Sequence, residues 1–393
     1  MSDALASAWT LDPSVHYLNH GSFGATPRAV LERQAALRAE LEREPVDFIV
    51  RRLPGRLAEV RDRLGAFMHA DPEGFAFVPN ATTGVNAALR SWPLSAGDEV
   101  LTTDHAYAAC RKAAAWIAER RGARLVTAAV PFPLRGEDDV VEAVMSAVTP
   151  RTRVALLDHV TSPTALIFPI SRLVTTLRER GVETIVDGAH TLGMLPLELD
   201  RLGAACYTTN AHKWLCAPKV AAVLWVRRDL RDRIRPLIVS HGYDPVAGGL
   251  RFREEWDWTG TMDPTTWLCI PECLRVMEEM VPGGWPEIMR RNHELAVRAR
   301  GILLAALGLE PPCPEAMLGS MATIPLPARS PESAVVQLDP EALAAWTRER
   351  GIEGWFWHWP AAGSGKLTRV SAQLYNHEAQ YEALRRLLPE LLR

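Results

Sequence analysis

The sequence contains no apolar run of membrane-spanning length and no long block of basic residues. The first absence argues against an integral membrane protein. The second, with 44 basic and 47 acidic residues and a net charge of −3, argues against binding to nucleic acid or to an anionic membrane surface. Residues 1–9 also lack the basic start and apolar stretch of a signal peptide. We therefore expect a cytoplasmic protein whose ligand is a small molecule.

Cysteine is scarce and scattered, with six residues in a chain of 393. Only Cys269 and Cys273 lie close together, and no second pair could complete a metal site. A cytoplasmic protein of this size is not expected to form disulfides, so we predict buried cysteines and no bound metal. No Gly-x-Gly-x-x-Gly follows an early strand, which argues against a nicotinamide-binding Rossmann enzyme.

The composition is that of a globular protein, with 48% hydrophobic and 23% charged residues. The length exceeds the size at which a single core usually stops growing. We therefore predict two unequal domains: a large one over residues 21–262, and a smaller α+β domain that combines residues 1–20 with residues 263–393.

Short apolar runs alternate with longer helical patterns between Asp71 and Leu230, which is typical of a parallel sheet covered on both faces. Seven strands are predicted, at Phe75–Val78, Glu99–Thr102, Leu125–Val130, Val154–Leu157, Thr184–Val186, Ala205–Thr208 and Ala221–Val226. From Asp263 onward the pattern changes to long helices, Pro264–Met280 and Pro286–Leu307. The predicted fold is therefore doubly wound α/β, with a mostly parallel seven-stranded sheet and a smaller α+β C-terminal domain.

Two of the loops that follow predicted strands carry groups with a shared chemistry. Lys213 lies between His212 and Trp214, where an apolar neighbourhood would lower its pKa and favour the nucleophilic amine. Asp187 directly follows the run Glu183–Val186. An amine able to form a Schiff base and a carboxylate able to pair with a pyridinium nitrogen together indicate a site for pyridoxal 5′-phosphate (PLP).

Each residue also has a plainer interpretation. A lone lysine is usually a surface residue, and an aspartate after a strand is often a helix N-cap. Lys219 is the second candidate for the Schiff base, but it follows Pro218 and leads straight into a strand. His190, three residues after Asp187, could donate to the 3-oxygen of the cofactor or be an ordinary loop histidine.

The phosphate of the cofactor needs its own site. After the strand Phe75–Val78, the segment Pro79–Asn86 leads small and hydroxyl residues into a helix. A helix N-terminus offers unpaired N–H groups and a positive dipole end, so a phosphate could bind there with help from Thr82 and Thr83. The alternative is an ordinary N-cap by Asn80 or Thr82.

These motifs, in this order, resemble fold-type I PLP enzymes of the class V aminotransferase family. The set comprises the phosphate turn, Asp-x-x-His at Asp187, Asn-x-His-Lys at Asn210, and the later segment Thr259–Thr261. The opening segment Tyr17–Pro27 and the run Asp257–Pro264 are similar to the isopenicillin N epimerase-like branch. The resemblance covers nearly the whole chain.

The resemblance implies roles for individual residues. Lys213 would hold PLP, Asp187 would pair with its ring nitrogen, and His190 would lie near its 3-oxygen. The phosphate contacts would come from Thr83, Asn210 and His212, and the helix N-terminus argument adds Thr82 to the cofactor-binding residues. Thr261 would reach the phosphate of the partner subunit, which implies a homodimer with shared sites.

The same resemblance places other residues around the ring and the substrate. His105 would stack on the cofactor ring and count with Lys213 and Asp187 among the catalytic residues, with Tyr107 as its possible substitute. Arg369 would bind the substrate α-carboxylate, a role that suits a planar bidentate group. Asn19 and His20, in the opening motif, would also contact the substrate.

The reaction itself stays open, because PLP lets several bonds at the α-carbon break and the pocket selects one. The branch favours an epimerase, which delivers a proton on both faces of the α-carbon. Lys213 can serve one face, and His20, His105, Tyr107 or Tyr243 the other. A cysteine desulfurase is disfavoured, because the segment before Arg369 carries no cysteine that could act as a mobile nucleophile.

The tryptophans of Trp355–Trp359, with Trp256 and Trp258, suggest an alternative. They could line a pocket for a bulky or cationic side chain, although core packing is the commoner reason for such residues. A lining role would favour a carbon–sulfur lyase similar to those of the ergothioneine pathway. Transamination is a third option. A binding protein without turnover is the non-enzymatic alternative, and the intact set of Lys213, Asp187 and Arg369 argues against it.

Overall fold

A seven-stranded sheet occupies the centre of the computed structural model, which describes residues 5–244, 252–360 and 365–393. The described strands are β1 (His16–Tyr17), β2 (Phe75–Val78), β3 (Glu99–Thr103), β4 (Arg124–Ala128), β5 (Thr152–Asp158), β6 (Glu183–Asp187), β7 (Cys206–Asn210), β8 (Ala222–Val226), β9 (Met321–Leu326), β10 (Ile352–Glu353), β11 (Trp355–His358) and β12 (Lys366–Ser371).

The central sheet has the strand order β2-β8-β7-β6-β5-β3-β4. Strand β8 is antiparallel to both of its neighbours, and the other pairs are parallel. All seven strands predicted from the sequence are present, with ends shifted by two residues at most; the predicted Leu125–Val130, for example, is Arg124–Ala128. The predicted mostly parallel α/β fold is therefore confirmed.

The strands could be recognised because both faces of the sheet are buried. In β5, Val154 and Leu156 belong to one hydrophobic core, whereas Ala155 and Leu157 belong to another on the opposite face. Successive side chains of a strand point to opposite faces, so a strand covered on both sides appears as a continuous apolar run.

Helices cover the sheet and build the rest of the molecule. The described α-helices are α1 (His20–Phe23), α2 (Arg28–Arg43), α3 (Leu53–Met68), α4 (Ala81–Ser91), α5 (Ala108–Arg120), α6 (Glu137–Ser146), α7 (Ile170–Glu179), α8 (Leu199–Leu202), α9 (Phe252–Asp257), α10 (Thr265–Leu268), α11 (Ile270–Glu279), α12 (Gly284–Leu307), α13 (Ala334–Gln337), α14 (Pro340–Glu349) and α15 (Glu378–Leu392). A π-helical segment, Asp47–Arg52, joins α2 to α3.

Two features of the helices differ from the sequence prediction. The single helix predicted over Pro264–Met280 is divided into α10 and α11 at Cys269, and Pro271 occupies the first turn of α11. A proline fits the first turn of a helix, where its missing N–H is not needed, but not the interior. Helices α2 and α3, which pack against α10 and α11, were not predicted from the sequence.

The C-terminal part contains a second, antiparallel sheet in the order β11-β12-β9. The N-terminal strand β1 pairs in parallel with β10, and the Asn376 side chain donates to the backbone carbonyl of Tyr17 over 3.0 Å. Strand β1 therefore contacts the last third of the chain. The domain bounds proposed from the sequence stay a prediction.

Three observations concern membranes, metals and disulfides. Among the described helices, none combines the length and the apolar content that a membrane crossing needs. Within the same residues, no three His, Cys, Asp or Glu side chains come together as a metal site would require. All six cysteines are buried as free thiols.

Candidate active site

A cavity of about 870 Å³ lies at the carboxyl edge of the central sheet, where open α/β sheets bind their ligands. Its walls come from the ends of β5, β6 and β7, from the first turn of α4, and from the small sheet. The lining includes eight of the residues predicted for the site, namely Thr82, Thr83, Asp187, His190, Asn210, His212, Lys213 and Arg369. The fold thus brings together predicted residues from four separate segments.

Lys213 lies three residues beyond β7, half-buried at the wall of this cavity. Burial lowers the pKa of its amine to about 7, and the positive charge of Arg369 adds to the shift, while Asp187 opposes it. Loss of hydration disfavours the charged form of an amine, so a large share of Lys213 is neutral near neutral pH. That is the form which attacks an aldehyde.

His190 is the direct neighbour of this amine, with its Nε2 atom 3.3 Å from Nζ of Lys213. Burial holds the pKa of His190 well below its usual range, so the ring is neutral. On its other side, the indole N–H of Trp214 donates to Nδ1 over 3.4 Å. Since an indole can only donate, Nδ1 accepts, and the ring proton of His190 resides on Nε2, facing the lysine.

Asp187 is the last residue of β6 and is 2% exposed. Its Oδ1 accepts the backbone N–H of Ala189 over 3.0 Å. The thiol of Cys110, in the first turn of α5, also donates to it. Burial raises the pKa of Asp187, and a positive ring N–H placed against it would offset that cost of charge burial.

The first turn of α4 forms the end of the cavity that could hold a phosphate. Asn80 is the N-cap, and its side chain accepts the backbone N–H of Thr83 over 2.9 Å. Asn210 accepts the N–H of Ala81 over 2.8 Å. Gly84 lets this helix lie against β7, because a Cβ there would come within 2.3 Å of the Thr208 hydroxyl. The ordinary N-cap interpretation is therefore observed at Asn80, and a phosphate at this helix end stays a prediction.

His212 borders the same end of the cavity. Its Nδ1 donates to the backbone carbonyl of Ala221 over 2.9 Å, and burial lowers its pKa to about 4. In the neutral ring, Nε2 is then an acceptor. A contact from His212 to a phosphate requires the doubly protonated ring, which a bound dianion would favour.

Arg369, on β12, forms the opposite wall and is 1% exposed. It donates to the backbone carbonyl of Ser162 over 2.6 Å and to the Ser162 hydroxyl over 3.2 Å. Its guanidinium lies 4.7 Å from the ring centroid of Trp357. Burial lowers its pKa to about 9, so it stays charged at neutral pH. In the described part of the chain no carboxylate pairs with this cation, and its Nε has no partner.

His105 does not line the cavity, contrary to the stacking role expected for it. Both ring nitrogens are engaged, Nδ1 with the Thr164 hydroxyl at 2.7 Å and Nε2 with the Val130 carbonyl at 3.0 Å. The ring is fully buried and packs against Trp359. These contacts hold it behind the wall, whereas Tyr107, the alternative, lines the cavity with a partly exposed ring.

Asn19 and His20 also lie behind the lining and not in it. Asn19 accepts the hydroxyl of Ser22, which in turn accepts from Arg369 over 3.4 Å. His20 contacts the backbone carbonyl of Lys213 at 3.0 Å and the Tyr375 hydroxyl at 2.7 Å. The opening motif thus supports the site through neighbours, and we correct the direct substrate contacts predicted for this pair.

The remaining candidates have different positions. Thr261 is exposed and lies outside the cavity of its own chain. Lys219 reaches the cavity lining, but its side chain is exposed and Lys213 is the lysine beside His190. Of the second-face candidates, Tyr107 lines the cavity, whereas Tyr243 is an exposed residue outside it.

The predicted aromatic cluster is divided among four places. Trp355 and Trp357 line the cavity. Trp359 packs against His105 and Phe132, Trp256 belongs to a hydrophobic core, and Trp258 borders a separate surface pocket. Only part of the cluster can therefore contact a ligand in this cavity.

Four polar residues at the site were not predicted from the sequence: Ser22, Cys110, Asp158 and Ser162. Asp158 had a usable signal, because it directly follows the predicted strand Val154–Leu157. Ser22 and Ser162 carry no such signal, since their importance depends on Arg369, which is distant in sequence and adjacent in space.

These residues fit PLP. A neutral amine, a buried carboxylate and a helix N-terminus surround one cavity, and they match the aldehyde, the ring nitrogen and the phosphate of that cofactor. The unpartnered Nε of the buried Arg369 fits an anion that enters with a substrate. Fold and site together define a PLP-dependent enzyme of fold type I.

Comparison with known proteins gives the family. Residues 41–384 match the family described as aminotransferase class-V, and the chain belongs to it. It is 34% identical to isopenicillin N epimerase of Amycolatopsis lactamdurans, over 98% of this chain and 99% of that protein. It is 30% identical to the probable chloroplastic L-cysteine desulfhydrase of Arabidopsis thaliana, over 97% of this chain and 84% of that protein. The resemblance seen in the motifs is confirmed.

A further relative is hercynylcysteine sulfoxide lyase of Schizosaccharomyces pombe, 27% identical over 78% of this chain and 80% of that protein. Among solved structures, a cysteine desulfurase from Thermococcus onnurineus NA1 has a TM-score of 0.81 at 19% identity, covering 99% of this chain and 98% of that one. The protein is thus a PLP-dependent class V enzyme, with PLP as its cofactor.

Proposed function

We propose that this enzyme exchanges the α-proton of an amino acid, or of an amino-acid conjugate, and inverts the α-carbon. The buried Arg369 carries the proposal, because it is a cation without a carboxylate partner in the described residues and lies in the same cavity as Lys213. A substrate α-carboxylate would supply the missing anion and satisfy its Nε. The similarity to isopenicillin N epimerase supports epimerisation over other reactions at this carbon.

We propose a separate role for each residue group of the cavity. PLP, when bound, supplies an electron sink that lets a bond at the α-carbon break. We assign Asp187 to the ring nitrogen, His190 to the 3-oxygen, and Thr82, Thr83, Asn210 and His212 to the phosphate. Arg369 would orient the substrate so that its α-hydrogen faces Nζ of Lys213, which accepts or returns the proton on that side.

Tyr107 is our candidate for the second face. It is the one second-face candidate, among those in the described residues, whose side chain lines the cavity. Burial raises the pKa of its phenol, so the hydroxyl keeps its proton at neutral pH. Tyr107 is therefore suited to donate a proton to the α-carbon.

Carbon–sulfur elimination is the second candidate function. Trp355 and Trp357 line the cavity, as the lyase alternative requires, and relatives include a cysteine desulfhydrase and a sulfoxide lyase. The face of Trp357 is already covered by the guanidinium of Arg369. Of these two rings, only Trp355 would be left to attract a substrate cation, which disfavours a lyase that acts on a cationic conjugate.

A substrate panel tests the two functions. The purified holoenzyme is incubated in D₂O with L- and D-amino acids and with cysteine sulfoxide conjugates, and deuterium at the α-carbon, pyruvate and keto acids are measured in parallel. We expect deuterium incorporation with inversion. Pyruvate without inversion would select the lyase, and keto acid would select transamination. No turnover of any compound would favour a binding protein.

The variant Tyr107→Phe sharpens this test. An epimerase that uses Tyr107 on one face should lose inversion in this variant. Lys213 should still catalyse exchange of the α-proton for deuterium in one enantiomer. A lyase needs no second-face acid, so pyruvate release would change little. Tyr243→Phe is the matched control, because Tyr243 is an exposed tyrosine outside the cavity. Inversion that survives Tyr107→Phe would contradict the assignment.

We extend the proposal to a homodimer with shared sites, located in the cytoplasm. The exposed position of Thr261, away from the cavity of its own chain, supports a contact with the cavity of a partner. Mixed dimers of Lys213→Ala and Thr261→Asp test the sharing. If the sites are shared, one site of a mixed dimer combines the intact Lys213 of one subunit with the intact Thr261 of the other. The mixed dimer should then be active, although neither parent variant is. Without recovery, Thr261 serves its own chain or no site.

A further inference from the structure

Two carboxylates lie side by side at the floor of the cavity. Asp158 and Asp187 are the last residues of the neighbouring strands β5 and β6 and are paired in register. Residues paired in register in parallel strands point to the same face. Each is 2% exposed, and two adjacent buried carboxyl groups do not both ionise near neutral pH. The pair must therefore retain a proton.

The hydrogen bonds decide which of the two carries it. Asp187 accepts from the Ala189 N–H and from the Cys110 thiol. Among the described residues, Asp158 accepts only the Tyr107 N–H, at 3.1 Å on Oδ2, and its buried Oδ1 has no partner there. An ionised Asp158 would leave a charged oxygen without a donor, which is costly. A neutral Asp158 can carry a hydrogen on that atom.

The surrounding charges agree with this assignment. Burial raises the pKa of Asp158 well above its usual range, and the neighbouring charge of Asp187 raises it further. The Tyr107 N–H and the Lys213 amine act in the opposite direction. Cys110 also faces the pair from α5, and burial keeps that thiol protonated. No other element brings a cation close enough to neutralise both carboxylates in the described structure.

We propose that Asp158 is a positioning residue that holds the single proton of this pair, so that Asp187 is the one ionised carboxylate available to the ring nitrogen of the cofactor. The proposal rests on the assignment of this cavity to PLP. The proposal explains why Asp158 lies beside Asp187. A neutral Asp158 limits the buried negative charge to one carboxylate, and that carboxylate, Asp187, stays oriented by Ala189 and Cys110.

Infrared difference spectroscopy of the cofactor-free protein locates the proton directly. The carbonyl band of a protonated carboxyl should be present in the wild type, absent in Asp158→Asn, and retained in Asp187→Asn. Asp104→Asn is the control, because Asp104 is a half-buried carboxylate just beyond β3. A band that survives Asp158→Asn but vanishes in Asp187→Asn, or no such band in the wild type, would overturn the proposal.

Cofactor affinity supplies the second measurement. An amide has the shape and neutrality of a protonated carboxyl, so Asp158→Asn should bind PLP within about threefold of the wild type. Asp158→Ala removes the group and should bind about tenfold or more weakly. Equal losses in both variants, with unchanged melting temperatures, would show that Asp158 acts as a carboxylate. Neither measurement needs turnover, so both stand if epimerisation is disproved.

Discussion

The two walls of the cavity are built in different ways. The wall that faces the cofactor consists of strand ends and the loops directly after them, with Asp187 and Lys213 close to β6 and β7. The wall that would face the substrate joins Arg369 to Ser22 and Ser162, which come from three segments far apart in the chain. The first wall can be recognised in short motifs and the second cannot. This difference explains why the sequence indicates the cofactor more clearly than the substrate.

The largest effect should come from the cofactor wall. Lys213→Ala removes the amine that would both hold PLP and move the α-proton, so turnover should fall by roughly a thousandfold or more. Borohydride reduction followed by peptide mapping should label Lys213 in the wild type and no lysine in the variant. Lys219→Ala is the matched control, since Lys219 borders the same cavity with an exposed side chain. Labelling at Lys219 in the wild type would show that Lys219, and not Lys213, holds PLP.

The substrate wall should respond differently. Arg369→Ala removes the only charge assigned to the α-carboxylate, and kcat/KM should fall by about 100-fold or more, with little change in PLP affinity. Arg369→Lys keeps the charge but loses the planar pair of donors, so it should recover only part of the activity. Measuring kcat/KM and the dissociation constant of PLP side by side checks the contrast. An equal loss of kcat/KM and of PLP affinity would show that Arg369 also contributes to cofactor binding.

The pH dependence tests the buried amine of Lys213. Its neutral form is the nucleophile, and its pKa is lowered to about 7, so the fraction able to react increases as the pH rises through that value. In the cofactor-free protein, the rate of PLP capture should increase about tenfold between pH 6 and pH 8 and then level off. Stopped-flow absorbance measures this rate. A rate that keeps rising towards pH 10 would show an ordinary, hydrated lysine.

The smallest effect on activity should come from Trp214, which contacts His190 behind the cofactor wall. Trp214→Phe keeps the aromatic ring but removes the N–H that orients His190, and activity should fall by about three- to tenfold. The ¹⁵N shifts of His190 separate this role from packing: the wild-type ring should carry its proton on Nε2, and the variant should populate both tautomers. Trp357→Phe is the comparison on the substrate wall. An unchanged tautomer in Trp214→Phe would remove Trp214 from this role.

The sequence allowed the large sheet to be predicted strand by strand, because strands buried on both faces are continuous apolar runs between loops. Residues just beyond those strands, such as Asp187, Asn210 and Lys213, could then be placed at one edge. The family resemblance placed His105 on the cofactor ring, yet its side chain points away from the cavity and contacts Thr164 and Val130. The direction of a loop side chain depends on partners elsewhere in the chain.

The amino-acid sequence by itself determined the fold class, the cofactor and the family, because each depends on short segments whose residues are adjacent along the chain. Tertiary structure alone decided that Tyr107 lines the cavity, that Asp158 lies beside Asp187, and that Arg369 is buried without a carboxylate partner among the described residues. Those facts depend on contacts between distant segments, and burial, which shifts the pKa values of the site, exists only once those segments have packed together.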